Sequence, residues 1–106
     1  MRTDIGIDLG TSYTRIFMGK SVALAEPSVV TINNLTGEAE NFGTEAYKAI
    51  GRTSDRITPV CPIEYGTIAD FQAAELMLRD YLKRVCGKKL IRPRAIVAIP
   101  CGTTAV

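Results

Sequence analysis

The pattern of apolar and polar positions predicts several short strands at the start of the chain. Residues 5–9 alternate between large apolar side chains and glycine or aspartate, which is the period of a strand that buries one face. Residues 14–18 and 21–25 are also rich in β-forming types, and Gly19 and Lys20 separate them. These three segments predict an antiparallel meander.

Weaker patterns follow the meander. Pro27 interrupts the strand pattern, because proline cannot donate to a ladder, and residues 28–32 resume it. Thr44 is the predicted N-cap of a short helix over residues 45–50. Residues 52–66 contain two prolines, and we expect them to form an irregular connection.

A longer helix is predicted from Asp70, its N-cap, to about Val85, with Gly87 ending it. Apolar residues recur on one face at spacings of three and four positions, and charged residues lie mostly opposite. The apolar positions are Phe71, Ala74, Met77, Leu78, Tyr81 and Val85. This pattern is typical of a helix that packs on a sheet.

A continuous apolar run over residues 95–99 follows the helix, and such a run predicts a buried parallel strand. A strand, a helical crossover and a parallel strand form a right-handed unit, so the predicted fold is α/β with the last strand beside the first. One long helix cannot cover both faces of that sheet. We therefore expect a truncated, N-terminal piece of a larger protein, or a domain that dimerises through its exposed edge.

Candidate chemistry lies where the first strand ends. Asp8 precedes Gly10, Thr11 and Ser12. Glycine lets the backbone approach a phosphate, amides and hydroxyls donate to its oxygens, and a carboxylate can order waters around a divalent cation. The alternative is a hairpin whose turn happens to be Gly-Thr-Ser, because short glycine motifs have low specificity.

Composition excludes several classes of function. The chain has no histidine, which excludes Ser-His-Asp and Cys-His catalysis and His-ligated metals. A net charge of +2 and 7% aromatic residues give no basis for nucleic-acid binding. The three separated cysteines predict reduced, buried or half-buried thiols. Met1 leads within three residues into the first strand, so we expect no signal peptide and a cytoplasmic location.

Five segments carry a resemblance to a known family. They are Asp4-Ile-Gly-Ile-Asp-Leu-Gly-Thr11, Glu26-Pro-Ser-Val-Val30, Gly51-Arg-Thr53, Gly66-Thr-Ile-Ala-Asp-Phe71 and Arg92-Pro-Arg94. In this order and spacing they resemble the N-terminal third of the MreB family, the bacterial actin-like rod-shape proteins. The resemblance covers essentially the whole chain, although its first segment alone would fit any member of the sugar kinase, Hsp70 and actin superfamily.

The resemblance implies an actin-like ATPase fold of the ribonuclease H-like type. Residues 1–31 and 67–106 would form an incomplete subdomain IA, and residues 32–66 subdomain IB. Residues 8–14 would be the first phosphate loop, which contacts the β- and γ-phosphates of ATP. By the same similarity, Asp8 would lie near the magnesium ion and hold it through water.

Four further positions take site roles by resemblance. Thr11, Ser12 and Tyr13 stand where the family contacts nucleotide, although the family usually has asparagine in place of Tyr13. Arg15 stands where actin has a phosphate-binding lysine and MreB commonly has an apolar residue. It would either add a phosphate contact or be a solvent-facing strand arginine, and we favour the second interpretation.

The basic segment around Leu90 and Ile91 is a candidate membrane contact. Leucine and isoleucine can enter the headgroup boundary while neighbouring lysines and arginines pair with anionic lipid. The alternative is that both side chains pack inward. The resemblance favours membrane contact, because MreB presents a hydrophobic pair here.

The resemblance implies a cytoskeletal function, in which the whole protein forms ATP-dependent filaments on the inner face of the cytoplasmic membrane and directs cell shape with cell-wall synthesis proteins. One phosphate loop cannot enclose a phosphate, because phosphoryl transfer is catalysed from both sides of a cleft. We expect these 106 residues alone to be inactive. The alternatives are a sugar kinase-type phosphotransferase and a non-catalytic binding module.

Overall fold

The computed structural model describes residues 4–52, 55–87 and 94–98, with side chains placed in the first two ranges from residue 5 onward. The described part contains nine strands, which form three small sheets, and two helices. In chain order, they are β1 (Asp4–Leu9), β2 (Tyr13–Met18), β3 (Ser21–Pro27), β4 (Val30–Asn33), β5 (Ala39–Phe42), α1 (Thr44–Ile50), β6 (Ile57–Val60), β7 (Ile63–Glu64), β8 (Thr67–Ile68), α2 (Phe71–Cys86) and β9 (Arg94–Ala98).

The first sheet has the order β3-β2-β1-β9. Strands β1, β2 and β3 form the predicted antiparallel meander, and β9 lies parallel to β1. Strand β3 extends two residues beyond the predicted range of 21–25 and includes Pro27, which pairs with Tyr13 in the ladder. An edge strand tolerates proline, since one side of its ladder has no partner to receive an N–H.

The second sheet has the order β5-β4-β6 and begins at Val30. The predicted strand over residues 28–32 was therefore misplaced, because Ser28 and Val29 lie outside β4. The predicted irregular connection was also wrong in part, because it contains β6 and β7. The boundaries of subdomains IA and IB stay a prediction.

Helix α2 packs its predicted face on the first sheet. Ala74, Met77 and Tyr81 are buried together with the inward side chains of β1, whereas Phe71 is 75% exposed and was wrongly placed in the core. Asp70 is the N-cap, as predicted, and its Oδ1 accepts a hydrogen bond from the Ala73 N–H at 3.0 Å. No helix in the described ranges is long and apolar enough to cross a bilayer.

Two local predictions were wrong. The N-cap of α1 is Gly43 rather than Thr44, and the Thr44 N–H donates to Glu26 Oε1 at 2.7 Å. The Glu26 carboxylate therefore accepts a hydrogen bond at the start of α1, where the Thr44 side chain was expected to accept one. Cys61 is exposed rather than buried, Cys86 is half-buried as predicted, and Cys101 lies outside the described residues.

Candidate functional site

The connection between β1 and β2 is a tight loop of three residues, Gly10, Thr11 and Ser12, called the 10–12 loop below. The Gly10 N–H donates to the Tyr13 carbonyl oxygen at 3.0 Å and closes the reversal. A Cβ added to Gly10 would lie 2.6 Å from that same oxygen. The loop can therefore take this path only with glycine at its first position.

Ser28 fixes the carbonyl groups of the 10–12 loop. Its N–H donates to the Ser12 oxygen at 2.9 Å, and its hydroxyl donates to the Gly10 oxygen at 2.7 Å. The buried hydroxyl of Thr14 lies 2.8 Å from the Ser28 Oγ. Because Ser28 has one hydroxyl proton and gives it to Gly10, Thr14 is the donor in this second bond.

These bonds set the direction of the loop amides. No peptide bond in the described ranges is cis, so each N–H points roughly opposite to the carbonyl of its own peptide group. The Gly10 and Ser12 carbonyls face Ser28, and the N–H groups of Thr11 and Tyr13 consequently face away from it. Amides that point out of a tight turn are what an anion requires.

The two hydroxyls of the loop are differently placed. Thr11 Oγ1 accepts a hydrogen bond from the Gly66 N–H at 3.0 Å, which connects the loop to the turn between β7 and β8. The Thr11 proton stays available to a ligand, because the hydroxyl acts here as an acceptor. Ser12 is exposed and can donate to a ligand directly.

Asp8 and Arg15 face each other across the β1–β2 ladder. Arg15 Nη1 lies 3.9 Å from Asp8 Oδ2, and the side chains are 47% and 32% exposed respectively. The guanidinium also lies 5.9 Å from the centre of the Tyr13 ring. An exposed pair at this distance contributes little stability, so Asp8 is free to exchange Arg15 for another cation.

A cleft of about 490 Å³ opens beside the 10–12 loop. Thr11 and Ser12 of the loop line it on one side. Apolar side chains of residues 27–29, which precede β4, and of α1 also line it. Its lining residues are Thr11, Ser12, Tyr13, Pro27, Ser28, Val29, Tyr47, Ile50 and Cys61. Few polar groups in a mostly apolar cleft are typical of a small-molecule site.

A hydrated magnesium ion fits the donors that are present. Within the described ranges, no group of three or more His, Cys, Asp or Glu side chains could hold a metal directly. Magnesium commonly keeps several waters and uses one or two carboxylates together with phosphate oxygens. Asp8, at the strand end beside the loop, could supply the one carboxylate that such an ion needs.

All six predicted nucleotide-site residues lie at one end of the β1–β2 hairpin: Asp8, Gly10, Thr11, Ser12, Tyr13 and Arg15. Sequence patterns predicted neither the contacts of Ser28 and Gly66 with the loop nor the bond from Thr14 to Ser28, because these contacts depend on the fold. The only signal for Ser28 was its place in the Glu26–Val30 segment. Leu90 and Ile91 lie outside the described residues.

Comparison with protein families matches residues 2–106 to the family described as MreB/Mbl protein. The cell shape-determining protein Mbl of Bacillus subtilis (strain 168) is 39% identical over 105 residues, which cover 97% of this chain and 32% of that protein. The cell shape-determining protein MreB of Escherichia coli (strain K12) is 38% identical over 110 residues, with 97% and 32% covered. The chain thus spans about a third of the length of these curated relatives.

Solved structures agree with this match. The crystal structure of MreB5 of Spiroplasma citri bound to ADP superposes with a TM-score of 0.75 at 35% identity, over 92% of this chain and 29% of that one. The MamK double helical filament gives a TM-score of 0.76 at 21% identity, over 99% and 34%, and supports the fold alone. The predicted actin-like fold is confirmed.

Proposed function

Because the chain belongs to the MreB/Mbl family of bacterial actin-like cell-shape proteins, we propose that it is the N-terminal part of an ATP-dependent filament subunit. The 10–12 loop is its half of the nucleotide site. The observation that carries this proposal is the direction of the loop, whose carbonyls bond to Ser28 while its amides and hydroxyls stay open to a ligand. Family membership favours this function over a sugar kinase.

Each residue of the site has a defined task in this proposal. The Thr11 and Tyr13 amides and the Thr11 and Ser12 hydroxyls donate to phosphate oxygens. ATP would bring the magnesium ion, whose chemistry is to neutralise phosphate charge, and Asp8 would hold its water ligands. These groups bind and orient one side of a phosphate, and hydrolysis requires the opposite side of the cleft.

One structural relative supports nucleotide binding. MreB5 of Spiroplasma citri, at 35% identity, is bound to ADP in one crystal structure and to AMPPNP in another. From membership of the MreB/Mbl family, we infer that the complete protein assembles with copies of itself, on the cytoplasmic side of the membrane and with proteins of cell-wall synthesis.

Nucleotide titration of the full-length protein tests the site. We expect Asp8→Asn to weaken Mg·ATP binding by about tenfold or more, the effect of losing a charge-assisted contact. Asp55→Asn removes an exposed aspartate on another turn and is the matched control. Equal affinities for the two variants would contradict the proposal, and so would magnesium-dependent ATP turnover by the isolated 106 residues.

The membrane contact is a separate part of the proposal and rests on the apolar pair between basic residues at positions 88–92. Replacing both Leu90 and Ile91 with serine should abolish sedimentation of the full-length protein with anionic liposomes, because serine cannot bury apolar area at the headgroup boundary. A double substitution of Lys88 and Lys89 with glutamine separates charge attraction from insertion. Undiminished sedimentation of the double-serine variant would contradict the membrane role.

A further inference from the structure

Four residues connect helices α1 and α2 to the end of β3: Glu26, Gly43, Tyr81 and Arg84, called the joint below. Glu26 Oε1 accepts a hydrogen bond from the Thr44 N–H at 2.7 Å, and its Oε2 lies 3.6 Å from Arg84 Nη1. One carboxylate therefore contacts the first residue of α1 and the last turns of α2. Its negative charge also suits the start of a helix.

Gly43 allows the joint to close. Its φ is 69°, and a Cβ at this position would collide with Glu26 Oε1 and lie 2.8 Å from Tyr81 Oη. Glycine is thus required twice, for the backbone conformation and for the space. The two side chains meet where α1 begins.

Tyr81 is fully buried, and its hydroxyl donates to the Pro27 carbonyl oxygen at 2.7 Å. Burial and the nearby charge of Glu26 raise the pKa of the Tyr81 phenol above its ordinary value, so the hydroxyl remains a donor at physiological pH. Arg84 lies 5.2 Å from the centre of the ring. These contacts fix the phenol in one position.

A single peptide group connects Tyr81 to the 10–12 loop. The Pro27 carbonyl accepts from Tyr81, and the N–H of the same planar unit, which belongs to Ser28, donates to the Ser12 oxygen at 2.9 Å. A peptide plane is rigid, and hydrogen bonds at its two ends polarise one another. A displacement of the Tyr81 hydroxyl therefore shifts the loop through the rigid Pro27–Ser28 peptide group.

We propose that Tyr81 is a positioning residue of the phosphate site, acting through the Pro27–Ser28 peptide, and that the joint couples the placement of α1 to phosphate affinity. This inference rests on the proposed function. The coupling is reciprocal, because any contact that raises the affinity for a ligand is itself strengthened when that ligand binds. Nucleotide binding should accordingly stabilise the contact between Glu26 and α1.

The test compares Tyr81→Phe with Tyr65→Phe in the full-length protein. Both variants lose one phenol oxygen, but Tyr65 is 94% exposed at the turn between β7 and β8. We expect Tyr81→Phe to raise the dissociation constant for Mg·ADP about fivefold and to accelerate exchange of the Ser28 amide by a similar factor, the effect of one neutral hydrogen bond. Tyr65→Phe should change neither quantity.

Hydrogen exchange of the Ser28 amide tests the positioning role of Tyr81 independently of nucleotide binding. If the unmodified protein does not bind Mg·ADP, the proposed function is overturned, and the Ser28 amide still decides whether Tyr81 positions the loop. Equal acceleration at Ser28 and at Ile7, in the central strand β1, would indicate only global destabilisation and would overturn the positioning role. Unchanged exchange and unchanged affinity in Tyr81→Phe would overturn it as well.

Discussion

The 10–12 loop and the joint are built from similar parts, but their polar groups have different partners. Each contains a glycine whose Cβ would collide with an oxygen, Gly10 in the loop and Gly43 in the joint. Each also lies beside a carboxylate and an arginine. In the joint, Glu26 contacts both a backbone N–H and Arg84, whereas Asp8 near the loop lies 3.9 Å from an exposed Arg15.

The difference separates a structural cluster from a binding site. Arg84 is 39% exposed, but the Tyr81 hydroxyl is buried and bonded to Pro27, and Glu26 accepts from a backbone N–H. Paired groups of this kind contribute stability and resist exchange with solvent or ligand. An exposed ion pair contributes about 0–1 kcal/mol, so its carboxylate can change partner at little cost. The loop therefore has open amides, hydroxyls and one available carboxylate, and the joint has none of these features.

The largest expected effect comes from Gly43→Ala. Gly37→Ala is its matched control, because Gly37 also has a positive φ, of 77°, but nothing within 4 Å of the added Cβ. Both variants should lose about 1 kcal/mol or more in the free energy of unfolding because of the positive φ, and Gly43 also has a ψ of −131°, outside the left-handed helical region. Gly43→Ala should lose about 3 kcal/mol in total, because the added methyl also displaces Glu26 and Tyr81.

Urea denaturation gives the free energy of unfolding of both glycine variants. The expected difference between them of about 2 kcal/mol combines the steric contribution of the joint with the backbone cost of the Gly43 ψ. Equal losses for Gly43→Ala and Gly37→Ala would show that the joint opens freely to admit a methyl group. The contrast between a closed joint and an open loop would then be wrong.

A second prediction concerns Ser28, which connects the two regions. Ser28→Ala should lower the free energy of unfolding by about 2 kcal/mol, because both the Thr14 hydroxyl and the Gly10 carbonyl lose a partner. Thr14→Val should cost about 1 kcal/mol, since Ser28 keeps its bond to Gly10. The double variant should cost no more than Ser28→Ala alone.

A double-mutant cycle on Ser28 and Thr14 quantifies this coupling, and equilibrium denaturation of the four proteins supplies the energies. A coupling energy of about 1 kcal/mol is expected for the shared hydrogen bond. Strictly additive losses would contradict the hydrogen bond between the Thr14 and Ser28 hydroxyls.

Local sequence patterns predicted the elements whose residues interact with near neighbours. The meander, helix α2 with its Asp70 cap, and the parallel strand β9 all follow from periodicity and capping. The glycine motif likewise located the 10–12 loop, because a tight turn depends on its own residues.

Contacts between distant residues could not be predicted in this way. Among the described residues, strands β5 and β6 each pair with β4 alone, and neither has a strong alternation of its own. Glu26 caps α1 from 18 positions away, and Ser28 acts on Gly10 over the same separation. A single sequence does not reveal which segments the fold will bring together.

The smallest effect is expected for Arg15→Leu. Because Arg15 is 47% exposed and 3.9 Å from Asp8, its loss should change the free energy of unfolding by less than about 0.5 kcal/mol. Arg84→Leu, the corresponding change in the joint, should cost more, since Arg84 Nη2 lies 2.9 Å from Asp80 and Nη1 3.6 Å from Glu26. If Arg15 contacts Asp8 and the Tyr13 ring but no phosphate, Arg15→Leu should leave the nucleotide affinity unchanged. A loss of about tenfold in Mg·ATP affinity, measured by titration of the full-length protein, would instead assign Arg15 to the phosphate and would mean that the loop's charged pair is part of its ligand site.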